Sequence, residues 1–147
     1  MCRKLCLLVV DDDPDLLEPL MEVCERFDFH VVGANSGEKA LEIVSKYNID
    51  AVLTDVRMQP IGGFALLEAV RALHPLMPFI LWTGFWDRSD EKRAATYTDV
   101  EMLEKPFTFK ELQSVLNRVR EKVASDVDRD LADDSEPQPT LHDPTCS

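Results

Sequence analysis

The sequence predicts an α/β fold: a doubly wound, five-stranded parallel sheet covered by five helices. Three observations carry this. Short apolar runs without alternation suit strands covered on both faces. Amphipathic stretches of helical period lie between them, giving five β-α units in about 120 residues. The residues capable of chemistry fall at the carboxyl ends of the runs, where open parallel sheets build their sites.

Leu5–Val10 is the first apolar run, bounded by Lys4 and by Asp11-Asp12-Asp13. It is too short for a signal peptide and has no small-residue cleavage site, so it reads as a buried strand of a cytoplasmic protein. Leu16/Leu17, Leu20, Cys24 and Phe27 then recur at helical spacing, with Pro14 suited to the first turn. Val31-Val32 marks the second strand. Leu41, Val44 and Tyr47/Ile49 mark the second helix, which Asn35 and Glu38 are placed to open as a capping box. Ala51-Val52-Leu53 is the third strand, and Leu66/Leu67, Val70 and Leu73 the third helix. Phe79-Ile80-Leu81-Trp82 is the fourth strand. The helix expected over residues 87–96 is polar and is the weakest element by pattern. Met102-Leu103 is a short fifth strand. Thr108 with Glu111 opens a last helix carrying Leu112, Val115/Leu116, Val119 and Val123.

From Ala124 the pattern stops, and Asp, Ser, Pro, Gln and Thr dominate. The expected division is a folded domain over residues 1–122 and an acidic, disordered tail or linker over 123–147. The formal net charge is −12, and residues 121–147 hold eight acidic and two basic side chains, half of it. Such a chain has no basic face for a phosphate backbone, so nucleic-acid binding by this chain is not expected. No run approaches the ~18 apolar residues of a membrane span. Cys2, Cys6, Cys24 and Cys146 lack zinc spacing; Cys6 and Cys24 read as small, reduced core residues.

The strand ends gather Asp11-Asp12-Asp13, Asp55, Thr83 and Lys105-Pro106. Crowded carboxylates repel unless a hard divalent cation sits among them, and oxygen ligands suit Mg2+. A carboxylate such as Asp55 can attack phosphorus to give an acyl phosphate. A metal, an ammonium and a hydroxyl would stabilise the charge on a transferring phosphoryl group. Each residue also has a plain reading. Acids are welcome before a helix, Thr83 can bond backbone beside Gly84, and Lys105 can be a surface lysine. Asp11, Asp13, Asp15 and Glu22 match EF-hand positions, but Leu16 stands where that loop needs glycine. The conjunction favours the chemical reading.

With these motifs the chain resembles the response-regulator receiver family over residues 4–122. The resemblance is carried by Val9-Val10-Asp11-Asp12, Leu53-Thr54-Asp55-Val56-Arg57-Met58, Thr83-Gly84 and Lys105-Pro106-Phe107. Spacings of 28 positions from Asp55 to Thr83 and 22 from Thr83 to Lys105 agree with it. The resemblance implies a flavodoxin-like sheet of order 2-1-3-4-5. It implies Asp55 as phosphorylation site, and Mg2+ bound by Asp11, Asp12, Asp55 and the backbone carbonyl of Arg57. Lys105 would pair with the phosphate, and Thr83 would be the switch hydroxyl. The implied partners are a histidine kinase or phosphotransfer protein and a downstream protein target; the chain would be a signalling domain, not an enzyme.

Departures from the family pattern bear on the switch. Pro60 is shifted by one position after Met58, while Gly63 falls where a glycine is expected. Met102 replaces the usual aromatic, so signalling is expected to run through residues 84–96, a weak segment ordered on phosphorylation. Phe85, Trp86 and Tyr97 are expected to pack there, with partner docking as the alternative. Two other classes compete. A haloacid-dehalogenase-like phosphatase would carry its nucleophile on the first strand, and a pseudo-receiver would lack one of the acids, Thr83 or Lys105.

Overall fold

The computed structural model describes residues 4–133, with side chains through residue 124. The elements are β1 (Leu5–Val10), α1 (Pro14–Arg26), β2 (Phe29–Ala34), α2 (Gly37–Lys46), β3 (Ala51–Asp55), α3 (Gly63–Leu73), β4 (Phe79–Thr83), α4 (Arg88–Ala94), β5 (Val100–Glu104) and α5 (Phe109–Asp133). All strand pairs are parallel, in the order β2-β1-β3-β4-β5. The chain winds outward in both directions from β1 and β3, so the crevice between these strands opens at their carboxyl ends.

Strand parity explains the continuous apolar runs. Leu7 and Val9 of β1, Leu53 of β3 and Ile80 and Trp82 of β4 face α1 and α5. Leu8 and Val10, Val52 and Leu81 face the opposite core, where α2, α3 and Ala94 of α4 pack. Cys6 through Val10 are wholly inaccessible to solvent. Each fully buried large aliphatic side chain contributes roughly 1.5–3 kcal/mol relative to exposure, so a run covered on both faces has no position for a polar residue.

Helix starts follow side-chain chemistry. Pro14 occupies the first turn of α1 as expected, and Asp13 caps it by accepting from the Asp15 N–H. Thr108 and Glu111 form a reciprocal box ahead of α5 at 3.0 and 2.9 Å. At α2 the cap is Ser36, accepting from Lys39 N–H at 3.0 Å, not Asn35. The chain stays extended one residue longer, so the expected Asn35–Glu38 box does not form. Leu16 and Leu73 point outward from their helices.

The polar α4 is secured differently. Asp87 and Asp90 form a capping box at its start, and only Asp90 and Ala94 are buried. The flanking aromatics do much of the packing. Trp86 Nε1 donates to Leu103 O at 3.1 Å, and Tyr97 stacks on Phe64 with its hydroxyl donating to Glu68. Arg93 lies over the Phe64 ring at 4.7 Å. Phe85 instead stands exposed.

Helix α5 continues to Asp133, beyond the expected boundary at residue 122; Val123 is buried against the core. The expected tail thus begins within this helix, and residues 134–147 lie outside the described residues. Cys24 is a free, buried thiol whose pKa burial pushes up to about 12. Cys6 is buried but disulfide-bonded, which corrects the expectation of a reduced thiol: burial alone does not set the redox state. Among the described residues, no helix is long and apolar enough to cross a membrane.

Candidate functional site

The sheet ladders continue past the strands and thereby place the site. Asp11 N–H donates to Ala34 O at 3.1 Å, Val56 N–H to Trp82 O at 3.0 Å and Lys105 N–H to Thr83 O at 2.8 Å. Asp11, Asp55, Thr83 and Lys105 therefore arrive at one edge of the sheet with their backbones fixed by neighbouring strands. Gly63 closes the loop after β3: a Cβ there would meet Asp55 O at 2.6 Å and the Val56 Cα at 2.9 Å. Only a residue without a side chain lets α3 start so close behind the strand end.

Asp11 is completely buried. Its Oδ1 accepts from the Asp13 N–H at 2.9 Å, while its Oδ2 is buried without a hydrogen-bond partner. Burial is the main cause of a pKa raised from 3.8 to about 6; the Asp13 N–H opposes it, and the neighbouring Asp55 and Asp12 charges add to it. Asp12 is exposed beside it. Asp55, also buried, accepts from the Arg57 N–H through Oδ1 at 3.0 Å. One carboxylate oxygen from each of Asp11, Asp12 and Asp55 lies within 4.8 Å of the others.

Lys105 reaches into this group. Its Nζ is 3.5 Å from Asp55 Oδ2, 3.9 Å from Asp11 Oδ2 and 3.8 Å from the centre of the Trp82 ring. The indole face positions the ammonium by cation–π attraction. Thr83 is buried, and its hydroxyl makes only long contacts with the Phe85 backbone: 3.4 Å from the N–H and 3.5 Å to the carbonyl.

The residues fit a hard divalent cation. Three acids converge and an orphaned buried oxygen points among them, a costly arrangement for which a cation is the natural partner. The EF-hand arrangement does not form, because Asp13 is spent capping α1 and Asp15 and Glu22 lie within that helix. Asp11, Asp12, Asp55, Thr83 and Lys105 are thus brought to one edge. The Arg57 backbone is tied to Asp55, but its side chain turns away toward α4.

That turn is the feature sequence reasoning missed. Arg57 pairs with the buried Asp90 through two contacts, Nη1 to Oδ1 at 3.4 Å and a closer one from Nη2 to Oδ2. Nη2 also donates to Phe85 O at 3.2 Å. Only the Asp90-Glu91 acids in a first helical turn hinted at it, and that pattern signals a helix start, not a distant partner.

Comparisons with known proteins agree with this geometry. Residues 7–117 match the model of the response regulator receiver domain. The transcriptional regulatory protein ZraR of Escherichia coli (strain K12) is 35% identical over 112 residues, covering 76% of this chain and 25% of that protein. The chain thus spans about a quarter of that relative's length. A response regulator receiver protein from Sinorhizobium medicae WSM419 superposes with a TM-score of 0.73 at 30% identity, covering 82% of this chain and 97% of that one. The chemotaxis protein CheY4 of Vibrio cholerae shares the fold, with a TM-score of 0.74 at 24% identity over 79% of this chain and 98% of its own. The match to the receiver family does not favour a dehalogenase-like phosphatase. The chain belongs to the response regulator receiver domain family, a signalling domain of two-component systems.

Proposed function

We propose that Asp55 accepts a phosphoryl group from a phosphohistidine in a Mg2+-dependent transfer, and that Asp11, Asp12, Asp55 and the Arg57 carbonyl hold the ion. The observation carrying this reading is the convergence of Lys105 Nζ and the three carboxylates around Asp55. A bound Mg2+ would neutralise the acidic cluster and the developing charge on the phosphoryl oxygens. The Asp55 carboxylate oxygen forms the new O–P bond as the P–N bond of the donor imidazole breaks, its nitrogen keeping the electron pair. Lys105 stabilises negative charge on the phosphoryl group. The donor is a histidine kinase or phosphotransfer protein, and the compartment the cytoplasm.

The output is a protein target read through the loop after β4 and α4. Met102 supports this route, since it stands half-exposed on β5 and lines a cavity of about 540 Å³ with Leu103, Glu111 and Arg118. A flexible side chain turned toward that cavity reports Thr83 less sharply than a packed ring would. Within residues 84–96, α4 (Arg88–Ala94) is already helical and is tied to Arg57 through Asp90, so on this reading these ties rearrange.

Treatment with acetyl phosphate and Mg2+ followed by intact mass tests the reading: a gain of about 80 Da mapping to Asp55 is expected, consistent with phosphoryl transfer to a carboxylate. Asp55→Asn takes up none and melts higher than wild type without metal, because one charge leaves a crowded cluster. Equal uptake by the variant would remove Asp55 as the acceptor.

A further inference from the structure

We propose that Asp90 is a positioning residue for the phosphoacceptor site: through Arg57 it holds the start of α4 in the phosphoryl-free arrangement, and this pair loosens when Asp55 is occupied. The inference deepens the reading above and rests on it.

Three ties converge on one short stretch. The Arg57 backbone is fixed to the acceptor carboxylate, with its N–H on Asp55 Oδ1 at 3.0 Å. Its guanidinium holds Asp90, whose side chain is only 8% exposed, and Phe85 O at 3.2 Å; Asp87 Oδ2 lies 3.9 Å away. Thr83 Oγ1 rests against the same Phe85, with its two contacts at 3.4 and 3.5 Å. A single residue thus spans the nucleophile and the helix.

The relative strengths decide which tie matters. The Thr83 contacts sit at the outer limit of hydrogen bonding and cost little to give up. The Arg57–Asp90 pair is charge-assisted, doubly contacted and partly shielded from water. One hydroxyl cannot stay on the Phe85 backbone and also reach a phosphoryl group on Asp55. If the loop follows Thr83 inward, Phe85 O moves relative to Arg57, whose own backbone stays anchored on Asp55. The guanidinium then cannot keep both Phe85 and Asp90.

The far end of α4 does not share this strain. There Tyr97 and Arg93 meet Glu68 of α3, while ahead of the helix Trp86 Nε1 is held by Leu103 O. Rearrangement is therefore concentrated at the first turn, where the Asp87–Asp90 capping box lies.

The test uses the full chain with beryllofluoride in millimolar Mg2+, following binding by fluorine resonance and residues 85–94 by amide exchange. In the wild type, binding raises exchange across those residues. Asp90→Asn keeps the size of the side chain and an oxygen to accept from Asp87 N–H, but removes the charge that holds Arg57. It is expected to bind beryllofluoride about fivefold more tightly or better, since coupling is reciprocal. Its exchange is already raised without ligand and changes little on binding. Arg57→Gln, which leaves the capping box intact, gives the same exchange pattern and decides the matter if Asp90→Asn loses α4. The double variant exceeds neither single one. Wild-type affinity with an undiminished exchange response in both variants would overturn the proposal. Failure of the wild type itself to bind would overturn the phosphoacceptor reading, and this proposal with it.

Discussion

Lys105 Nζ stands 3.5 Å from Asp55 Oδ2, across the face of the Trp82 indole. The β4–β5 ladder brings it there, since Lys105 N–H bonds Thr83 O directly after the two strands pair. An ammonium so placed counters the charge of Asp55 and, on the proposed reading, of a phosphoryl group on it. Lys105→Met, which keeps the length and apolar stem, is expected to slow uptake from acetyl phosphate about 10²-fold, as does loss of one preorganised charge donor elsewhere. Intact-mass time courses measure it, alongside circular dichroism to verify folding. Uptake at the wild-type rate would mean that Lys105 is a structural cation only.

Metal dependence follows from the orphaned Asp11 Oδ2 and the three converging acids. Mg2+ binding to the folded state alone stabilises it by about 1.4 kcal/mol per tenfold rise in free metal above the dissociation constant. Scanning calorimetry over a Mg2+ series measures the slope. Asp12→Ala removes an exposed carboxylate, so it is expected to weaken the metal response with little loss of metal-free stability. A melting temperature indifferent to millimolar Mg2+ would contradict an assembled site.

The raised Asp11 pKa gives a pH dependence in metal-free buffer. Its value is 3.8 ordinarily and about 6 in the fold, so between these the folded state binds more protons than the unfolded chain. This group's contribution therefore falls as pH rises from about 4 to about 6, and above that the buried charge opposes folding. Asp11→Asn removes that charge. Its melting temperature is expected to exceed that of wild type at pH 7, with the gap narrowing toward pH 5. A gap independent of pH over that range would exclude the titration of Asp11 as its cause.

Truncation after Val123 probes the domain boundary. Val115, Leu116, Val119 and Val123 give α5 its buried face, and beyond them only Val127 and Leu131 continue the four-residue spacing. Shortening the helix there is expected to shift the melting temperature by no more than a few degrees and leave phosphoryl uptake unchanged. A large destabilisation would mean that residues beyond Val123 dock on the body.

The sequence by itself determined the sheet, its five helices and the acids, hydroxyl and lysine at the strand ends. Those features obey local rules. A strand buried on both faces must be apolar throughout, as Cys6 through Val10 are, and a parallel ladder delivers the residues after each strand to the same edge. The cap of α2 and the anchoring of α4 were decided only in three dimensions. Ser36 and Asn35 are both good caps, and the choice depends on where β2 releases the chain. The pairing of Arg57 with Asp90 joins residues 33 positions apart. Nothing in the periodicity of either segment records it, because a polar helix reads as solvated until the fold brings a cation to meet it. The same holds for Asp11: three consecutive acids are visible in the chain, but which one loses its water, and with it an ordinary pKa, is set by packing at the end of β1.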